Sequence, residues 1–110
     1  MASKPKSQER GPRYVALYHW VMDTKAWKSL NPNARCAYAF IARRYAGPGR
    51  NNGMIPCSVR EIADDLGIGK TTAQTALDAL QDRGFIVQTR RGGLNIKHRH
   101  ATEWLLTEFK

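Results

Sequence analysis

The sequence predicts an α+β domain in which three helices are closed by a C-terminal β-hairpin, and three observations carry that prediction. The first is the stretch SVREIADDLGIGKTTAQTALDALQDRGFI, Ser58 to Ile86, which reads as two short amphipathic helices, a tight glycine turn between them, and a strand at once after. The second is an upstream helix signature that opens on Asn31-Pro32. The third is a short alternating segment, Ala101 to Thr107, that returns after a basic, glycine-bearing loop.

Taken in chain order, residues 1–12 are polar and basic and are punctuated by Pro5, Gly11 and Pro12, so they are expected to be a disordered basic tail. The folded domain is expected over 13–110. Residues 14–30 are rich in aromatics (Tyr14, Tyr18, Trp20, Trp27) and read as a helical turn, a break at Asp23-Thr24, and a second turn ending at Leu30. That aromatic area must be covered. Packing on the molecule's own core is the preferred reading, and a dimer interface is the alternative. In the next helix Asn31 is an N-cap and Pro32 stands at N1, where its missing N–H costs nothing. Ala34, Ala37, Tyr38, Ile41 and Tyr45 recur at helical spacing, and Gly47-Pro48-Gly49 is expected to end the element. The loop Arg50-Asn51-Asn52-Gly53 leads into Met54-Ile55-Pro56, room for one small strand.

Ser58-Val59-Arg60-Glu61 is a capping box: the serine oxygen and the glutamate three residues on satisfy free backbone amides reciprocally. Val59, Ile62, Ala63 and Leu66 fall on one face of that helix, with Asp64 and Asp65 on the other. Gly67 is a left-handed stop and Gly69 an N-cap for a helix over 70–83, whose inner stripe is Ala73, Ala76, Leu77 and Leu80 and whose end is Gly84 at C′. Phe85 to Thr89 reads as a strand. Arg90-Arg91-Gly92-Gly93 starts a loop that runs to His100, and the closing strand places Thr102, Trp104 and Leu106 on one face. Helix, small strand, helix, helix, hairpin is the order of a winged helix-turn-helix, the wing being the basic loop.

Such a corner can occur in any small helical protein, so charge is the second line of argument. The chain carries 18 Lys+Arg against 9 Asp+Glu, a net charge of +9 with a pI of about 10.1. From Thr24 to Arg60 there are basic residues at 25, 28, 35, 43, 44, 50 and 60 and no acid; from Gly84 to Thr102 there are Arg90, Arg91, Lys97 and Arg99, again with no acid. A field of one sign in two blocks draws polyanions, nucleic acid before anionic membrane. Length allows one domain. No apolar run approaches the ~20 residues of a membrane span, and the N-terminus lacks a signal-type apolar stretch, so a cytoplasmic, nucleoid-associated protein with no membrane partner is expected. Cys36 and Cys57 are isolated and are expected as small buried hydrophobes, not a disulfide.

From about Tyr14 to Thr107 the chain resembles winged-helix domains of bacterial transcription regulators. TALDALQDRGFI is similar to the turn from recognition helix into wing strand in the GntR-type group. The aromatic lead, the NNG loop, the helix pair and the closing ATEWLLT resemble small helix-turn-helix proteins of phages, plasmids and integrated elements of proteobacteria. The resemblance implies that residues near the start of the recognition helix meet bases, here Lys70, Thr71, Thr72, Gln74 and Thr75. This chain departs from GntR-like domains at Gln74 and Thr75, where arginine is frequent, so no known target carries over.

The residues support the same roles on physical grounds. Thr71, Gln74, Thr75 and Asp78 point away from the apolar stripe, and Gln74 suits a bidentate contact to adenine N6 and N7. Lys70 and the free amides of the first turn suit phosphate or a guanine edge. Ser58 and Arg60 are expected backbone clamps, with Ser58 partly engaged in capping. Arg90, Arg91, Lys97, His98 and Arg99 of the wing suit phosphate or a narrow minor groove.

No catalytic, metal or cofactor site is expected. Gly69-Lys70-Thr71 looks like the tail of a phosphate-binding loop, but the first glycine that motif needs falls at Asp64 and no strand precedes it. His98 and His100 with Cys57 lack a second ligand pair at metal spacing. No nucleophile stands at catalytic spacing from a base. The expectation is a sequence-specific double-stranded DNA-binding protein, a small transcriptional regulator acting as a homodimer or cooperative multimer. Two readings stay open beside it: an accessory DNA-binding protein of replication, excision or partition, and an adaptor for protein or RNA, the acids at 64, 65, 78 and 82 being the feature that would favour a protein partner.

Overall fold

Side-chain caps and glycines set most of the element boundaries. The computed structural model describes residues 12–94 and 99–109; the expected basic tail lies almost wholly outside them. Two single-turn helices come first, α1 (His19–Met22) and α2 (Lys25–Lys28), the second capped by Thr24, whose hydroxyl accepts from the Trp27 amide at 3.1 Å. Helix α3 (Pro32–Ala42) starts on Asn31, whose Oδ1 accepts from the Ala34 amide at 2.9 Å. Strand β1 (Ile55–Pro56) then leads to α4 (Val59–Leu66) and α5 (Lys70–Asp82). Strands β2 (Ile86–Arg90), β3 (Gly93–Leu94), β4 (Arg99–His100) and β5 (Glu103–Leu106) complete the chain.

Helix α3 ends before the expected glycines. The Arg44 and Tyr45 amides bond three residues back, to the carbonyls of Ile41 and Ala42, which tightens the last turn. Asn51 explains the early exit: its amide group donates to the Arg44 carbonyl and accepts from the Ala46 N–H, at 2.7 and 2.8 Å. The loop after α3 is thus folded back onto the helix end.

An antiparallel sheet of order β1-β5-β2 closes the helical core, in the register Ile55 opposite Trp104 and Ile86 opposite Leu106. Both long strands of the hairpin depart from expectation: β2 runs one residue later and β5 is shortened to four, with a register irregularity between Gln88 and Arg90. The loop expected between them is not plain loop, because β3 and β4 pair within it, Gly93 opposite His100 and Leu94 opposite Arg99.

The core lies between α3, α4, α5 and the sheet, and includes Tyr38, Ile41, Ile62, Leu77, Leu80, Ile86, Trp104 and Leu106. Trp27, Tyr38 and Phe85 meet edge to face with centroids 5.6–6.1 Å apart, which ties α2 to α3 and to the start of the sheet. The aromatic lead therefore splits. Trp27 is core, while Tyr14 and Trp20 remain 85% and 62% exposed. The cysteines also depart from expectation: both are free thiols, but only Cys57 is buried and Cys36 is on the surface.

Candidate nucleic-acid interface

Helix α5 is amphipathic in the required sense. Ala73, Ala76, Leu77 and Leu80 are buried against α3 and α4, the two alanines letting the helices approach and the two leucines filling the core between them. Lys70, Thr71, Thr72, Gln74, Thr75 and Asp78 are all exposed. Spacing of three and four puts Thr71, Gln74, Thr75 and Asp78 on one outward stripe. The helix begins on Gly69, which offers no side-chain acceptor to its first-turn amides. Those amides and the positive end of the helix dipole are left for an anion.

The angle between the two helices of the turn depends on Gly67. Its φ of 67° is left-handed, a conformation that favours glycine, and the chain leaves α4 there with the Ile68 amide donating to the Ala63 carbonyl.

The start of α4 is held from outside the helix pair. Glu61 and Ser58 form the capping box, each contact 3.1 Å. Arg44, just past the end of α3, donates Nη2 to Glu61 Oε2 at 2.6 Å and Nη1 to the Pro56 carbonyl at 2.7 Å. The Arg44 hydrogen bond is the chief reason the Glu61 carboxyl sits below the usual carboxylate range, and the same bond raises Arg44. One guanidinium thus joins α3, β1 and α4. Reasoning from sequence missed this role and counted Arg44 only as charge; no local pattern pairs it with a residue 17 positions on. Of the two clamps expected here, Arg60 is exposed and free to reach outward, whereas the Ser58 hydroxyl accepts from the Glu61 amide.

In the wing, Arg90 and Arg91 are exposed. Arg90 Nη1 lies 3.3 Å from Glu103 Oε2 across the strand pair, so part of its charge is already answered. Lys97 and His98 lie outside the described residues, as does the side chain of Arg99. The base of the wing depends on Gly92, whose amide donates to Thr102 Oγ1 at 3.0 Å. A Cβ there would come within 2.6 Å of the Thr102 backbone nitrogen, so only glycine permits this approach.

Among the described residues there is no group of three His, Cys, Asp or Glu side chains that could hold a metal, and no helix long and apolar enough to cross a membrane. Three packed helices, a polar outward stripe on the third, and a small antiparallel sheet define a winged-helix DNA-binding domain. The chain belongs to the helix-turn-helix domain family, whose profile matches residues 28–86, from the end of α2 to the first residue of β2. No curated protein and no solved structure matches it. Double-stranded DNA is the ligand class of this family's fold.

Proposed function

We propose that this protein is a sequence-specific DNA-binding regulator of transcription, with α5 in the major groove and the basic wing on the backbone or in the minor groove. The observation that carries the reading is the outward face of α5, where Lys70, Thr71, Thr72, Gln74 and Thr75 are exposed over a buried Ala/Leu stripe. Arg60, Arg90, Arg91, Lys97, His98 and Arg99 supply the backbone contacts in this reading, and Ser58 holds the helix start. One domain of this kind covers roughly 600–1,000 Å², modest for specificity, so a homodimer or cooperative multimer on DNA is the working form.

The test is affinity for duplex DNA as a function of salt. Counterion release sets a slope of about −0.9 per contacted phosphate in log K against log[salt]. A slope of about −4 to −8 is expected, and Arg91→Ala should make it shallower on specific and random duplex alike. A flat titration, or no binding at low salt, removes the reading. A genome-wide map of bound DNA separates regulation from replication, excision or partition by showing promoters, origins or attachment sites.

A further inference from the structure

Side chains on the exposed stripe of α5 already have their donors and acceptors sorted. Gln74 Nε2 donates to Asp78 Oδ1 at 2.8 Å. The Thr75 hydroxyl donates to the Thr71 carbonyl at 3.0 Å. An ionised aspartate has only acceptors, so it dictates which end of the glutamine amide faces it. The nitrogen turns toward Asp78 and the carbonyl Oε1 turns away, since the reverse would set a carbonyl against a carboxylate. One Nε2 hydrogen is consumed and a second is left to donate. Thr75 has spent its only hydrogen and keeps lone pairs and a methyl group.

We propose that Asp78 is a specificity-determining positioning residue, which locks the Gln74 amide so that the recognition helix accepts adenine and rejects guanine. The proposal deepens, and rests on, the reading of α5 as the base-contacting helix. Adenine presents an N6 amine and the N7 acceptor in the major groove, the complement of Oε1 and the remaining Nε2 hydrogen. Guanine presents two acceptors, O6 and N7, and Oε1 would stand against O6. An unrestrained amide can turn over and meet that edge with its nitrogen; the Asp78 pair removes this option. The charge of Asp78 argues in the same direction. An acid on the face that a polyanion approaches weakens general affinity, so it serves discrimination, not attraction.

A helix-supporting pair at this spacing would leave base choice unchanged, so base choice is the quantity to measure. Binding sites are selected from a randomised duplex library by the full chain, by Gln74→Ala and by Asp78→Ala, with Asp78→Ser as a second variant at the same position. Both side chains are exposed, and thermal unfolding of each variant checks that the fold is kept. The wild type is expected to select an A·T pair at the position that Gln74→Ala relaxes. Replacing that adenine by purine, which lacks only the N6 amine, should weaken binding roughly 5- to 150-fold. Asp78→Ala should bring A·T and G·C to within about twofold there while binding random duplex as tightly as the wild type or more so. A wild type that selects G·C at that position, or binds purine as well as adenine, overturns the proposal. So does Asp78→Ala retaining the wild-type preference that Gln74→Ala erases. A wild type that selects no sequence at all removes the base-reading role of α5 and this proposal with it.

Discussion

Trp104 is where a single side chain most constrains this domain. It is 2% exposed, stands opposite Ile55 and Gln88 in the sheet, and its indole N–H donates to the Cys57 carbonyl at 2.9 Å. Trp104→Ala removes a large buried surface and leaves that carbonyl unpaired, so a loss of about 3–5 kcal/mol in chemical denaturation is expected. A domain of this size has about 5–15 kcal/mol in total, so the variant should be partly unfolded and bind DNA weakly without altered base preference. The Cys57 side chain is itself buried. Burial pushes the Cys57 thiol up to about 12, which keeps it protonated and unreactive at neutral pH. Alkylation of the native protein at pH 7–8 should therefore modify Cys36 alone, with Cys57 reacting only after denaturation. Modification of Cys57 in the native state would show that the strand pair around it opens readily.

At the scale of elements, the controlling contact is Arg44 between α3, β1 and α4. Helix α4 has its own capping box, yet a capping box fixes only where a helix starts, not what it leans on. Arg44 supplies that by bonding both the capping glutamate and the Pro56 carbonyl. The two side chains are 33% and 40% exposed, so solvent screens the pair, and Arg44→Met should lower stability by about 1 kcal/mol. The pH dependence has a definite sign. Because the folded state holds Glu61 below its ordinary range, the contribution is full above about pH 5 and fades as the pH falls through the lowered folded value. Urea titrations of parent and variant should therefore differ most at pH 7 and draw closer as the pH falls through the lowered Glu61 value, leaving in acid only what the Pro56 contact contributes. A difference that persists unchanged in acid would assign the effect to the Pro56 contact alone.

For the molecule as a whole, two features of the surface matter: its charge and its exposed aromatics. The basic blocks and α5 form the proposed DNA side, within a net charge of +9. The N-terminal lead carries Tyr14 and Trp20, open to solvent, while Trp27 of the same segment is buried beside Tyr38 and Phe85. For the cooperative form proposed above, we place the contact between copies at these two exposed rings. Replacing Tyr14 and Trp20 together by serine should leave the affinity of one copy for a single half-site unchanged and abolish cooperative binding to a paired site. Sedimentation on both duplexes is the check. Equal cooperativity in parent and variant would move the contact elsewhere.

Local chemistry accounts for the helices, caps and turns that could be read along the chain. The capping box at Ser58 and Glu61, the Asn31-Pro32 start, the stop at Gly67 and the inward stripe of α5 each depend on residues within a turn or two of one another. Caps, left-handed glycines and 3.6-residue spacing act at that range, so they were legible without a fold, and so was the outward set from Lys70 to Thr75. Contacts between distant segments were not. Asn52 ties the loop after α3 to the end of β5 by accepting from the Leu106 amide and donating to the Leu106 carbonyl, 54 residues away. Arg44 reaches Glu61, Trp104 reaches Cys57, and β3 pairs β4 inside what composition marks as loop. The partition of Trp27 from Tyr14 and Trp20 is of the same kind, since an aromatic-rich segment specifies how much area needs cover, not which ring finds it. Long-range pairings are chosen by the packing of the assembled core, in which each contact exists only once all the others have brought its two ends together.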